Sequence, residues 1–165
     1  MKHSGKTNAA RILDALGIHY ELREYTVDPE DLTAITVAKK INMPIEQVFK
    51  TLLTKAHSGE HYFGVVAGDA ELDLKKLAAA ADEKKIELAS LKEVEPLTGY
   101  IRGGVTVLGA RKPFPAFVDE TIQLFDTISV SAGQRGLQLL LAPADYLRAT
   151  EATLVDISKA PGVHA

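Results

Sequence analysis

The sequence contains no cysteine, which removes disulfides, thiolate nucleophiles and cysteine-ligated zinc or iron–sulfur centres from the chemistry open to it. It also lacks the Gly-x-x-x-x-Gly-Lys-Ser/Thr loop of nucleoside triphosphatases, a Gly-x-Gly-x-x-Gly turn after a strand, and the Gly-x-Ser-x-Gly elbow of serine hydrolases. No apolar run approaches the roughly 20 residues that span a bilayer. Residues 1–7 are polar and basic with no apolar stretch behind them, so secretion is not expected and the cytoplasm is the default location. Positive charge is not in excess either: the formal net charge is -3. That balance argues against charge-driven binding along a nucleic-acid backbone, while leaving room for a local basic pocket.

What is present is ordinary globular material. The 165 residues are 46% hydrophobic and 25% charged, which suits one domain over residues 1–165 with a frayed tail from about Ala160. After Thr7 as a cap, Ala10, Leu13 and Leu16 have helical spacing and Gly17 supplies a stop. An edge strand is expected over 18–25, a helix over about 36–41, and a helical turn after Pro44. Strands over 51–56 and 62–67 flank His57-Ser58-Gly59-Glu60 as a hairpin, and the second is apolar enough to be central. An Asp73-capped helix over 74–81, a strand over 86–88 and a polar helical turn over 91–95 come next. Residues 98–115 carry too many glycines and prolines for a helix or strand and read as a structured loop region. Strands over 116–118, 128–131 and 137–141 and a helix over 143–149 complete the chain. The sum is an α+β fold, with a mixed, largely antiparallel central sheet flanked by helices and function carried on its loops.

Three clusters hold candidate chemistry. In Val48-Phe49-Lys50-Thr51-Leu52-Leu53 a lysine interrupts an apolar run at the entrance to a strand. It is either a strand lysine whose stem lies along apolar surface or an anion-binding or proton-handling group in a cleft. The 99–112 stretch interleaves Gly99, Gly103, Gly104 and Gly109 with Arg102, Arg111 and Lys112; it reads as tight turns with solvated cations or as a backbone cradle for a phosphate or carboxylate. In Ser129-Val130-Ser131-Ala132-Gly133-Gln134-Arg135-Gly136, hydroxyls, glycines and an arginine occupy a turn, which serves as a plain hairpin or as a nest facing an oxyanion. His57 and His61 have a metal-ligand spacing only on a helix, and Ser58-Gly59 between them points to a turn. Asp69, Glu71 and Asp73 alternate as a carboxylate pair would, although a loop with Asp73 as helix cap explains them more simply.

Taken together, Thr7-Asn8-Ala9-Ala10-Arg11, Val48-Phe49-Lys50-Thr51-Leu52, Leu72-Asp73-Leu74-Lys75-Lys76, the 99–109 block and Val130-Ser131-Ala132-Gly133-Gln134-Arg135-Gly136-Leu137 resemble the YbaK/EbsC family of bacterial aminoacyl-tRNA deacylases, related to the editing domain of bacterial prolyl-tRNA synthetases. The resemblance covers nearly the whole chain. It implies hydrolysis of a mischarged tRNA ester, with cysteinyl-tRNA(Pro) the characteristic substrate and cysteinyl-tRNA(Cys) a further one. Lys50 would be the key site residue, binding the 3′-terminal nucleotide and orienting the ester. Tyr25, Gly103, Gly104 and Ser131 would line the pocket, with Arg102, Gly133 and Arg135 beside them as substrate-binding groups. No metal or other cofactor is implied, because the substrate's own thiol is the expected nucleophile and a thiolactone the expected product. Such chemistry needs placement and oxyanion stabilisation more than a protein base. The implied partners are the acceptor end of an aminoacyl-tRNA and prolyl-tRNA synthetase, with no membrane. One departure bears on specificity: Gln138 stands where some members carry an acidic residue after Arg-Gly-Leu. A deacylase for alanyl-tRNA(Pro) or another small ester, and a non-catalytic binding module for a tRNA end or anionic ligand, are the competing readings.

Overall fold

The computed structural model describes residues 6–160. In chain order the elements are α1 (Asn8–Ala15), β1 (Glu21–Glu24), α2 (Ala34–Ile41), β2 (Phe49–Ala56), β3 (His61–Ala67), β4 (Glu71–Leu72), α3 (Leu74–Ala80) and β5 (Ile86–Leu88). Then come α4 (Leu91–Thr98), β6 (Ala116–Asp119), β7 (Ile128–Ser131), β8 (Leu137–Leu141), α5 (Pro143–Thr150), β9 (Thr153–Val155) and β10 (Ser158–Lys159). Short 3-10 helices at Ile45–Gln47 and Glu120–Leu124 fill two of the joints.

The helices begin where side chains can satisfy their first N–H groups. The Thr7 hydroxyl accepts from the Ala10 N–H at 3.3 Å, and the Asp73 carboxylate accepts from Lys75 and Lys76, both at 3.1 Å. At the start of α4, Glu93 reaches back to the Ser90 N–H at 3.1 Å. Helix α2 ends on Asn42 in the left-handed conformation.

Strands run in the order β5-β2-β3-β6-β9 in one sheet, β1-β8-β7 in a second and β10-β4 in a third. Pairing is antiparallel except between β3 and β6 and between β6 and β9. The α+β class and the largely antiparallel pairing match the sequence expectation, with β3 central and β1 at an edge. The expected central sheet is nevertheless divided. β5 pairs only with residues 54–56 of β2, which leaves the beginning of that edge open, and there β7 meets it in one parallel bridge, Val48 with Ser129. Strand β3 is buried on both faces: Val65 joins the main core with β7 and β8, while Val66 packs with Leu77 of α3, Ile86 and Phe117.

Two further differences have physical causes. Helix α4 runs on to Thr98 with Pro96 inside it, because a proline on the exposed side of a second turn sacrifices one donor without having to interrupt a packed face. Strands β4, β9 and β10 carry little local signal, since each is held by residues distant in sequence, whereas the Glu120–Leu124 helix has a local cap in Asp119, which accepts from the Thr121 N–H at 3.1 Å, a signal the sequence reading passed over. Of the tail expected to fray, Ala160 is exposed and without regular structure, and 161–165 lie outside the described residues. Among the described residues, no helix is long and apolar enough to cross a membrane.

Phe63 is fully buried at the centre of the five-stranded sheet, whereas Leu124 is 74% exposed. Phe63→Ala is expected to lower unfolding free energy by about 3–5 kcal/mol and Leu124→Ala by less than about 0.5 kcal/mol, read from urea denaturation midpoints.

Candidate active site

Lys50 sits in β2 with its side chain half-buried, flanked by core residues Val48 and Phe49. Its Nζ donates to the Gly68 carbonyl oxygen at 3.4 Å, a long contact that leaves most of the ammonium's donor capacity for another acceptor. Gly68 comes just after β3, and its N–H donates to the Val48 carbonyl at 2.7 Å. A Cβ at this position would fall 2.6 Å from Ile45 Cδ1, 2.9 Å from Ala34 Cβ and 3.0 Å from the Val48 oxygen. Glycine is what allows α2, the 45–47 turn and β2 to close on one another beside the lysine. Burial pushes the Lys50 ammonium below the usual lysine range, and the Glu71 and Asp69 carboxylates offset part of that fall.

The 131–136 turn follows β7, the strand that meets β2 at this junction. Two residues beyond the Val48–Ser129 bridge, β2 reaches Lys50 and β7 reaches Ser131, so the parallel register carries both to the junction of the sheets. The Ser131 Oγ accepts from the Gly133 N–H at 3.1 Å. A Cβ on Gly104 would lie 3.0 Å from Gln134 Cα, 3.1 Å from its carbonyl carbon and 3.2 Å from Arg135 N, so the glycine loop rests backbone to backbone against the turn. Arg135 fastens the pair by donating its Nε to the Arg102 carbonyl at 2.7 Å. Beneath them the buried Tyr100 donates its hydroxyl to the Leu108 carbonyl at 2.7 Å. Tyr25 leaves β1 with its N–H bonded to the Gly136 carbonyl at 3.0 Å and packs against the Val37, Ala38, Ile41 and Val48 cluster.

The structure thus gathers Tyr25, Arg102, Gly103, Gly104, Ser131, Gly133 and Arg135 about one turn, with Lys50 at the sheet junction beside it. Other groups singled out in the sequence go elsewhere. Arg111 donates to the Pro96 carbonyl at 3.0 Å. His57 faces Glu87 at 3.4 Å, whereas His61 faces Glu93 at 3.3 Å and stacks on Phe114. Bonds from the Ser90 N–H and from His61 hold the Glu93 carboxyl down at about 2. Among the described residues, no group of three or more His, Asp or Glu side chains is placed to hold a metal ion. Gln138 is buried and accepts the Ser129 hydroxyl at 2.6 Å, so a neutral pair stands at the bridge. Sequence reasoning missed Gly68 and the wall made by Ala34 and Ile45.

Residues 28–149 match the model of the aminoacyl-tRNA editing domain, a span that takes in Lys50, the glycine loop and the serine–glycine turn. The fold and this match define an editing domain, and the chain belongs to the aminoacyl-tRNA editing domain family. It is 39% identical over 157 residues, 95% of this chain and 96% of the other, to an Enterococcus faecalis (strain ATCC 700802 / V583) protein named "Putative Cys-tRNA(Pro)/Cys-tRNA(Cys) deacylase EbsC". It is 30% identical over 101 residues, 61% of this chain and 60% of the other, to the "Multifunctional Ser/Thr-tRNA deacylase ProXp-y" of Escherichia coli (strain K12). A crystal structure described as "a putative trans-editing enzyme for prolyl tRNA synthetase" superposes with a TM-score of 0.79 at 26% identity, covering 94% of this chain and 99% of that one.

Because the atoms that a Gly104 Cβ would meet are backbone, they yield only if the loop moves. Gly104→Ala is expected to destabilise the fold by about 1–3 kcal/mol, measured as a lowered thermal midpoint and checked against wild type in the same buffer.

Proposed function

We propose that this protein is a trans-editing deacylase that cleaves the ester of cysteinyl-tRNA(Pro), and of cysteinyl-tRNA(Cys) as well. The observation that carries this reading is the 39% identity over 95% of the chain to the relative whose name gives those two substrates. The site's chemistry agrees with it. Lys50 offers a half-buried ammonium with donor capacity to spare, which suits an ester carbonyl that gathers negative charge as it is attacked.

In this mechanism the protein supplies placement and the substrate supplies the nucleophile. The cysteine thiol releases its proton to solvent and its sulfur bonds to the ester carbonyl carbon. The bond from that carbon to the ribose oxygen then breaks, and the ribose oxygen takes a proton, leaving intact tRNA and a thiolactone that water opens to cysteine. Lys50 holds the terminal nucleotide and steadies the developing oxyanion. Tyr25, Gly103, Gly104, Ser131 and Gly133 confine the aminoacyl group, and Arg102 and Arg135 stand at the loop edge for the backbone phosphate. With a net charge of -3, the chain is suited to grasping the acceptor end while prolyl-tRNA synthetase retains the tRNA body.

A second reading, cleavage of another small aminoacyl ester, is favoured by the likeness to the Ser/Thr-tRNA deacylase and by the neutral Ser129–Gln138 pair. The two readings separate in one assay with labelled cysteinyl-, seryl-, alanyl- and prolyl-tRNA(Pro), using wild type and Lys50→Ala. Loss confined to the cysteinyl ester, slowed about 10²-fold or more in Lys50→Ala, is the expected outcome. Equal loss from the alanyl ester excludes an obligatory substrate thiol, and no loss from any ester leaves a binding module.

A further inference from the structure

Tyr100 is buried where α4 gives way to the glycine loop, and it takes no part in the steps above. Both of its ends are held. Its N–H donates to the Thr98 hydroxyl at 3.0 Å, and that hydroxyl donates to the Val94 carbonyl at 2.6 Å, so the backbone is tied to the last turn of α4. Its own hydroxyl donates to the Leu108 carbonyl at 2.7 Å. A Cβ on Gly109 would fall 3.0 Å from that hydroxyl oxygen, 3.1 Å from Asn8 Cβ and 3.3 Å from Ile12 Cδ1. The tip of the phenol is thus lodged against the far arm of the loop, where α1 closes over it. With only two side-chain torsions and an anchor at each end, the ring between has little freedom.

The edge of that ring meets the serine–glycine turn. A Cβ on Gly133 would fall 3.0 Å from Tyr100 Cε1 and 3.5 Å from Cζ, so the backbone of this glycine lies directly on the ring. Gly133 is the residue whose N–H donates to the Ser131 Oγ at 3.1 Å. The chain that follows Tyr100 touches the same turn a second time: Gly104 meets the backbone of Gln134 and Arg135, and the Arg135 Nε donates to the Arg102 carbonyl at 2.7 Å. The arginine bond is exposed, whereas the ring is buried and packed, so the ring is the less yielding of the two supports.

We propose that Tyr100 is a positioning residue whose ring is the spacer that sets where Gly133 lies and, through the Gly133–Ser131 bond, how the Ser131 hydroxyl is held. The proposal rests on the deacylase reading only in making Ser131 and Gly133 part of the site. It divides the side chain into two parts with separate roles: the hydroxyl anchors the ring to Leu108, and the bulk of the ring supports the turn. Removing the hydroxyl alone leaves that bulk between Gly109 and Gly133, whereas a smaller side chain opens space into which the turn relaxes. An ester held for attack is sensitive to such a shift, since a misplacement of about 1 Å costs up to about 10²-fold in rate.

The test reads the turn first without tRNA. In wild type an NMR Overhauser contact between the Gly133 Hα protons and the Tyr100 ring is expected, and its absence overturns the proposal. Tyr100→Leu is expected to speed hydrogen exchange at the Gly133 N–H by about tenfold or more, while Tyr100→Phe keeps it within about threefold of wild type although it loses the Leu108 bond. Single-turnover deacylation of cysteinyl-tRNA(Pro) should follow the same order. In Tyr100→Leu the rate constant at saturating protein falls by about tenfold or more with the half-saturating concentration changed by less than about threefold, and Tyr100→Phe retains most of the wild-type rate. Ile86→Ala, a core truncation in β5 away from the turn, lowers the thermal midpoint and moves neither readout, which separates positioning from a general loss of stability. Tyr100→Leu with wild-type exchange and rate, or Tyr100→Phe losing as much as Tyr100→Leu, overturns the proposal. Should Tyr100→Leu not fold, Tyr100→Phe decides: a phenylalanine that keeps both readouts upholds the role of the ring, and one that loses them overturns it. Faster exchange in Tyr100→Leu, with no deacylation by any form including wild type, upholds the ring's hold on the turn and overturns the functional reading instead.

Discussion

A single parallel bridge between Val48 and Ser129 joins the two larger sheets, and the candidate site exists because of the residues that come next on each strand. On β2 the next outward position but one is Lys50; on β7 it is Ser131. The bridge forms where β5 has not yet begun to pair with β2, so the opening between the sheets and the functional side chains share one origin in strand length. Packing then closes the opening from behind. Gly68 admits α2 and the 45–47 turn, and Gly104 admits the glycine loop against the 133–136 turn. Each close approach removes space that a side chain would fill and leaves backbone polar groups in its place.

Much of this was legible locally. Thr7 and Asp73 as caps, the hairpin around Gly59, the central apolar strand and the turn-rich 98–115 stretch rest on interactions within a few residues, and the structure has them. The Lys50, glycine-loop and serine–glycine clusters were equally visible as patterns. No local pattern carried their adjacency, which depends on a bridge between residues 48 and 129 and on side chains meeting across loops. The division of the sheet and the strands β4, β9 and β10 were invisible for the same reason. Gly68 shows the limit most clearly: in sequence it is one glycine among twelve, and only the fold packs α2, the 45–47 turn and β2 about it.

The charge distribution explains how a net negative chain suits an anionic substrate. The site concentrates its positive character in one half-buried group and in the arginine-bearing loop edge, while the Ser129–Gln138 pair keeps the sheet junction neutral. Attraction of this kind acts over a few ångströms and is lost along the length of a nucleic acid, because salt screens charges separated by more than about 10 Å. A site of this kind suits the end of an anionic ligand better than its length.

The pairing of β10 with β4 joins segments more than half the chain apart, and the parallel pairings of β3 with β6 and β6 with β9 also span long stretches. Contacts of such high sequence separation slow folding, because loop-closure entropy must be met before they form. During synthesis, helices α1 and α2 and the β2–β3 hairpin have all their local contacts long before the last strand emerges. The strand bearing Glu71 has no partner until then. The β4–β10 pair is thus closed last, so a fragment ending after β8 would carry Lys50 and the 131–136 turn without the pairing that holds β4.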